Sequence, residues 1–151
     1  DVLHSLQLTR AFGENDPLKI IGAAKIKELV WHEDAFAIGF NFGLLTSLVK
    51  LDMSVEKASG YRNGSFMAST NGMLLLEEVN MRNNRLARNG DNGNVATLDL
   101  SWQGRLKKLD VRGTGLTRVK LATGAPVVQL CLPDTIEELF LEYLTKLSDS
   151  G

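Results

Sequence analysis

The chain has few of the residues that would mark a secreted, membrane-bound or nucleic-acid-binding protein. Its 151 residues include one cysteine, Cys131, so an internal disulfide is excluded. No apolar run approaches the roughly 18 residues that a membrane-spanning helix needs. The net charge is −1, which gives no general electrostatic attraction to nucleic acid or to an anionic membrane. We therefore expect neither nucleic acid as a partner nor membrane insertion.

Patterns typical of catalysis or metal binding are also scarce. His4 and His32 are the only histidines. The carboxylates at 33–34 follow His32 directly, but neighbouring side chains on extended backbone diverge, so a solvated turn is favoured over a metal site. Residues 91–94 lack the alternating oxygen ligands and closing glutamate of an EF-hand, and 113–115 lack the third glycine of a nucleotide fingerprint. We expect no enzyme activity, cofactor or metal.

One apolar pattern recurs throughout the sequence. In each copy of this frame, a first apolar residue is followed by a second three positions later and a third five positions later, as in Leu106, Leu109 and Val111. A strand alternates faces, so the last two apolar residues of a copy point inward and the residue between them points outward. One copy cannot bury its own apolar side, so the copies must stack. This predicts a single repeat solenoid over residues 1–151. The nine copies begin at positions 3, 26, 48, 76, 95, 106, 116, 127 and 136.

The spacing of the copies changes along the chain. The first four begin 22 to 28 residues apart, whereas those from position 95 onward begin 9 to 11 residues apart. This indicates coils of about 20 residues that carry two strands, one on each side of the solenoid. Strand 98–100 should then pair with 119–121, whereas a coil with one strand would pair it with 109–111. The predicted strands of this region are 98–100, 109–111, 119–121, 130–132 and 139–141.

One segment resembles the leucine-rich repeat family. Residues 76–86 read Leu-Glu-Glu-Val-Asn-Met-Arg-Asn-Asn-Arg-Leu, with the asparagine of that family at Asn84, two positions before Leu86. The resemblance implies that the Asn84 side chain bonds backbone groups in the turn after the strand. Thr114 and Gln103 hold comparable positions in other copies. The implied fold is a leucine-rich-repeat-like solenoid, mostly β, with short parallel strands and few short helices.

The resemblance also implies a function without catalysis, namely a protein-interaction or structural module. The stretch from 106 to 147 is similar to irregular repeats of bacterial surface proteins and of phage virion proteins. The alternative is therefore an adhesin or a virion component that binds a host surface or a neighbouring subunit. Either version favours an extracellular, cell-surface or virion location.

The remaining segments are expected to be turns, loops and one short helix. Asp16 and Pro17 suit the start of a helix. Stretches 54–72 and 83–94 are rich in glycine, asparagine and serine, which predicts loops that bulge from the solenoid. Neither end of the chain carries an obvious polar cap, so we expect a fragment of a longer polypeptide whose repeats continue or meet a partner subunit.

The frame also predicts which side chains are buried. Trp31 fills a core position, and Cys131 turns outward as a partly covered residue. Asp99 and Asp110 stay exposed between buried neighbours. The residues expected to be almost fully buried are Leu98, Leu100, Leu109, Val111, Leu130 and Leu132.

The outward positions form a polar column along the first sheet, followed by a second column just after each strand. Two interpretations remain open: a solvated face with cross-strand hydrogen bonds, or a face that binds another protein or a surface glycan. Trp102 either anchors an interface or packs under the adjacent turn. The first column is Gln7, Val30, Asp52, Asn80, Asp99 and Asp110; the second is Thr9, His32, Ser54, Arg82, Ser101 and Arg112. The candidate partner-binding residues are Asp52, Asn80, Arg82, Asp99, Trp102, Asp110 and Arg112.

Overall fold

The computed structural model describes residues 4–8, 22–32, 41–56, 70–86 and 97–140. These residues form nine short strands and three short 3-10 turns. The strands are β1 Ser5–Leu8, β2 Glu28–Trp31, β3 Lys50–Asp52, β4 Glu78–Asn80, β5 Thr97–Leu100, β6 Lys108–Asp110, β7 Arg118–Leu121, β8 Gln129–Cys131 and β9 Glu138–Phe140. The 3-10 turns are η1 Ala23–Lys25, η2 Phe42–Leu44 and η3 Thr70–Gly72.

The strands form two parallel sheets that make up a β-solenoid. The first sheet has the order β1-β2-β3-β4-β6-β8, and the second has the order β5-β7-β9. Leu98 lies opposite Val119, and Leu109 lies opposite Leu130, which is 21 residues further along the chain in both cases. The prediction of two strands per coil is therefore confirmed for this region, and the pairing of 98–100 with 109–111 is excluded.

Short 3-10 turns precede β2, β3 and β4 in the N-terminal coils. The Leu45 N–H bonds the Phe42 carbonyl and the Met73 N–H bonds the Thr70 carbonyl, as the Gln103 N–H bonds the Leu100 carbonyl, so η2 and η3 correspond to the end of β5 and the turn that follows it. Gly22 precedes η1 with a φ of 78°, a conformation that favours glycine, and the Asn41 side chain accepts a hydrogen bond from the Gly43 N–H at the start of η2. Residues 39–40 and 67–69, which correspond to the start of β5, lie outside the described residues. The helix predicted after Asp16 lies outside the described residues, as do residues 57–69 and 87–94 of the two predicted loops.

The core consists of apolar columns that run along the solenoid. One column contains Leu29, Leu51, Val79 and Leu109, and the next contains Trp31, Met53, Met81 and Val111; all are buried. Each strand thus covers its neighbour, as the repeat frame requires.

Four of the six predicted core residues, those in β5 and around β6, are buried. The prediction is wrong for Leu130 and Leu132, which are only partly buried. Among the described residues, β8 ends the first sheet, so a neighbouring strand covers it on one side only. Asp99 and Asp110 are half-buried rather than exposed, because their carboxylates turn back onto the chain that follows.

A repeated backbone contact fixes the position of each coil on the one before it. The His4 carbonyl accepts hydrogen bonds from the N–H groups of Lys27 and Glu28, at 2.8 and 3.0 Å. The carbonyls of Lys27, Val49, Glu77 and Lys107 each accept the equivalent two bonds from the next coil. Because these bonds involve only backbone, the register does not depend on exposed side chains, which leaves those free to vary.

Buried polar side chains bind the turns together. Asn84 donates from Nδ2 to the Met53 carbonyl at 2.8 Å, so the contact that the resemblance implies for Asn84 is present. Gln103 donates from Nε2 to the Thr70 carbonyl at 2.5 Å, and Thr114 donates from its hydroxyl to the Val111 carbonyl at 2.6 Å. Each satisfies a backbone carbonyl that would be costly to leave unpaired inside the solenoid.

Candidate functional site

Five of the seven candidate residues lie together on the first sheet. Asp52, Asn80 and Asp110 occupy the same outward position on neighbouring strands, and Arg82 and Arg112 follow two residues later. Cys131 continues the column opposite Asp110 and is half-buried, as predicted. The residues expected along one face are therefore brought together over several successive coils.

Asp99 and Trp102 do not belong to this face. Asp99 lies in β5 of the second sheet, where it is opposite Lys120. Its predicted place in the first-sheet column is wrong, because the coils from β5 onward place alternate copies of the frame on opposite sides. Trp102 follows β5 and is 61% exposed, so of the two interpretations left open for it, packing under the adjacent turn is excluded.

The outward polar side chains accept backbone hydrogen bonds at the points where the strands end. Oδ1 of Asp52 accepts hydrogen bonds from the Ser54 N–H at 3.0 Å and from the Ser54 hydroxyl at 2.7 Å. Asn80, Asp99 and Asp110 accept the N–H two residues later in the same way. These are Asx turns, in which a side chain replaces a backbone acceptor. One oxygen of each residue therefore serves the fold, through a local bond rather than the cross-strand bond that one of the two open interpretations assumed.

The guanidinium of Arg112 is bound by Asp110, the last residue of β6. Its Nε donates to Asp110 Oδ1 at 3.0 Å, and its Nη2 donates to Asp110 Oδ2 at 2.5 Å. The hydrogen bond from Arg112 is the main cause that lowers the pKa of Asp110, and the charges of Arg112 and Arg82 add to it. The same contact raises the pKa of Arg112. This paired guanidinium is poorly suited to meet a ligand, since a ligand would have to replace a two-point contact.

Arg82 is different, because its exposed guanidinium makes no hydrogen bond or ion pair with any described residue. It lies in a groove of about 750 Å³ at the carboxyl ends of the first-sheet strands. Asn83 forms part of the wall and donates from Nδ2 to the Val55 carbonyl at 3.0 Å. The lining residues are His32, Ser54, Val55, Glu56, Asn80, Arg82, Asn83, Asp110 and Arg112. The groove therefore offers one available cation beside hydrogen-bonding groups.

His32 lies in this groove, and one of its two ring nitrogens, Nδ1, already has a hydrogen-bond partner. Nδ1 is 3.0 Å from the Ser54 carbonyl oxygen and 3.7 Å from Asp52 Oδ1. The two carboxylates that follow His32 lie outside the described residues, as does the segment 91–94. Within the described ranges, no three His, Cys, Asp or Glu side chains come close enough to hold a metal ion.

A ladder of alternating charge, which the sequence analysis missed, crosses the face of the first sheet. Lys50 Nζ lies 3.8 Å from Glu28 Oε1, and Lys108 Nζ lies 3.5 Å from Glu78 Oε1. The four residues occupy one outward column beside a shallow groove of about 350 Å³. The signal was present as the charged residue directly before the inward leucine or valine of each copy. Such exposed pairs contribute little to stability each, about 0–1 kcal/mol.

Asp99 also has local partners on the second sheet. Burial alone would raise its pKa, but hydrogen bonds from the Ser101 hydroxyl and N–H outweigh that effect and lower the pKa. Its Oδ2 lies 3.8 Å from Lys120 Nζ. Asp99 therefore supports the end of β5, and Trp102 is the exposed candidate on this side.

Comparisons with known proteins do not assign the chain to a family. No family model matches it, and neither a curated protein nor a solved structure is significantly similar. No described helix has the length and apolar character to cross a membrane. Any functional proposal therefore depends on the geometry of the two grooves and of the exposed side chains described above.

Proposed function

We propose that this chain is a non-catalytic binding module of leucine-rich repeat type, and that the carboxyl-end groove of the first sheet receives its partner. The observation that carries the proposal is the exposed Arg82 guanidinium, which lies in that groove without a partner among the described residues. A location on a cell or virion surface stays a prediction from the sequence resemblance.

The rigidity of the groove supports this role. Asn83 is held by the Val55 carbonyl, and its N–H donates to the Arg112 carbonyl at 2.7 Å. On the next coil, a Cβ added at Gly113 would lie only 2.5 Å from the Asn83 side chain, so the two coils touch here. A surface held in this way loses little conformational entropy when a ligand binds.

The side chains of the groove indicate the chemistry of the ligand. A guanidinium presents a planar fork of donors that matches a carboxylate. The nearby Glu56 carboxylate offers an acceptor to a ligand that also carries hydroxyl or amide donors. We infer a partner that combines an acidic group with donors, which describes an acidic protein segment or an acidic surface glycan.

The test compares two exposed basic residues. Peptide-display and glycan-array selection with the wild-type chain provides ligands, and their affinities are then measured with Arg82→Ala and Lys120→Ala. Lys120 is the control, because it is also exposed but lies on the second sheet, where its Nζ is 3.8 Å from Asp99 Oδ2. We expect Arg82→Ala to weaken a selected acidic ligand at least tenfold, about 1.4 kcal/mol, and Lys120→Ala to leave that affinity unchanged.

The proposal fails if selected ligands bind both variants as tightly as the wild type. It also fails if a selected ligand is chemically converted during incubation, because the module would then be an enzyme. Circular dichroism of both variants checks that the solenoid is intact. Arg112 is not used here, since its contact with Asp110 would mix binding with stability.

A further inference from the structure

Three large apolar side chains are exposed at one corner of the solenoid, well away from the Arg82 groove. Leu44 is 54% exposed, Leu74 is 49% exposed and Trp102 is 61% exposed. They lie in the segments that precede β3, β4 and β6, whereas Arg82 follows β4 at the other edge of the first sheet. We call these three residues the Trp102 corner.

Backbone contacts place these residues on adjoining coils. A Cβ added at Gly72 would lie 2.5 Å from the Gly43 Cα, so η2 and η3 touch directly beside Leu44. Gln103 donates from Nε2 to the Thr70 carbonyl at 2.5 Å and to the Met73 carbonyl at 3.2 Å. Met73 directly precedes Leu74, and Gln103 directly follows Trp102. The three exposed side chains therefore project from neighbouring turns that are bound to each other.

The fold does not need these side chains for its core. The residues beneath them are already buried, and the apolar positions that face inward from these segments are Leu45, Leu48, Met73, Leu76 and Leu106. Scattered exposed apolar residues are common on protein surfaces, but a cluster on adjoining turns is typical of a binding site. Trp is also the residue type most enriched among interface anchors.

Positive charge exceeds negative charge in the described segments at and beside the corner. The segments that carry the corner residues, 41–49, 70–77 and 101–107, have two basic side chains and one acidic side chain, and residues 22–27 of the preceding coil add two more basic side chains. The acidic one, Glu77, accepts a hydrogen bond from Lys107 at 2.7 Å, and that bond is the main cause that lowers its pKa. Lys25 and Arg105 are exposed and make no ion pair with a described residue. The charge left around the apolar cluster is therefore basic.

The size of the cluster limits what can bind. Three neighbouring coils of a parallel solenoid span about 10 Å from the first to the third, which is about the length of three extended residues. A stable interface between two folded copies buries about 800 Å² on each partner, well above what two leucines and one tryptophan supply. A short segment fits better than a second folded surface.

We propose that the Trp102 corner docks a short segment of a partner protein in which large apolar side chains are flanked by carboxylates. The apolar side chains of the segment cover Leu44, Leu74 and Trp102, and its carboxylates approach Lys25 and Arg105. This site is separate from the Arg82 groove, so either proposal can fail without the other.

The test uses Trp102 as its own reporter, since the other of the two tryptophans, Trp31, is fully buried. The probes are two tryptophan-free synthetic peptides of twelve residues with the same leucine and phenylalanine centre, one flanked by glutamates and the other by lysines. We expect the acidic peptide to shift the emission to shorter wavelength and to protect Trp102 from iodide quenching, with at least tenfold tighter binding than the basic peptide. Measured by Trp102 emission, Arg105→Glu should weaken the acidic peptide at least fivefold, and Arg82→Ala should leave the Trp102 signal of that peptide unchanged.

Several results would overturn the proposal. Equal binding of both peptides, or binding of neither, contradicts recognition of the carboxylates by Lys25 and Arg105. Unchanged binding of the fluorescein-labelled acidic peptide to Trp102→Ser places the site elsewhere, as does its loss in Arg82→Ala. A Trp102 shift on vesicles of anionic phospholipid but not on the peptide identifies a membrane surface, and a shift on raising the protein concentration alone identifies self-association. Circular dichroism confirms that each variant is folded.

Discussion

At the scale of single residues, the outward polar positions serve the fold more than the sequence indicates. Asp52, Asn80, Asp99 and Asp110 each accept the N–H that follows the strand by two residues. Aspartate and asparagine both occur, because the turn needs only the acceptor oxygen. The negative charge of an aspartate matters where a cation contacts it, as Arg112 contacts Asp110.

Replacing Asp110 separates the role of the acceptor oxygen from the role of the negative charge. The pKa of Asp110 is lowered in the folded state, so its charge stabilises the protein above the unfolded pKa of about 3.9 and this contribution is lost as the pH falls through the folded pKa. We expect Asp110→Asn, which keeps the acceptor, to lower the unfolding free energy by more at pH 7 than at pH 2.5. Asp110→Ala also loses the acceptor, so about 1 kcal/mol of loss should persist at both pH values. Urea unfolding at the two pH values measures this; an Asn variant equal to the wild type at pH 7 contradicts a role for the charge.

At the scale of elements, the 3-10 turns of the N-terminal coils depend on close backbone approach. Strands of the second sheet can stack at the usual separation of about 4.8 Å, with side chains on either face. η2 and η3 instead bring Gly43 and Gly72 into direct contact. A side chain at Gly72 would therefore push the two coils apart.

Gly72→Ala tests this contact. The added Cβ would meet the backbone of Gly43, which cannot move aside as a flexible side chain could, so we expect a loss of about 1–3 kcal/mol in the unfolding free energy. Gly104→Ala is the matched control, because a Cβ there has nothing within 4 Å. Thermal and urea unfolding of the two variants provide the comparison. Equal stability of the two would show that η2 and η3 are not in contact.

At the scale of the whole molecule, the core depends on neighbours on both sides. Leu109 lies between Val79 and Leu130 in adjacent strands and is fully buried, whereas Leu139 of β9 pairs with Val119 and is only partly buried. The cost of removing an apolar side chain depends on how much contact it loses and on the cavity left behind. Stability should therefore be concentrated in the middle coils.

The comparison of Leu109→Ala with Leu139→Ala tests this distribution. We expect a loss of about 2–5 kcal/mol for Leu109→Ala, and a clearly smaller loss for the same change at Leu139. Chemical denaturation with matched circular dichroism and fluorescence probes measures both. A loss under about 1 kcal/mol for Leu109→Ala in a folded protein would contradict its central place in the core.

The sequence by itself determined the repeat, the inward frame and the coil of two strands, because the alternation of a strand and the spacing of its copies are local properties. It also located Trp31 in the core, whereas it left Trp102 open between an exposed anchor and packing under the adjacent turn. Only the tertiary structure decided which side of the solenoid each copy occupies, and so moved Asp99 out of the first-sheet column. It likewise brought Leu44 and Leu74 beside the turn of Trp102 and left Arg82 available while Arg112 is paired. Apart from the pairing of Arg112 with Asp110, which are two positions apart, these outcomes depend on contacts between residues that lie twenty or more positions apart, and such contacts are set by how the coils stack.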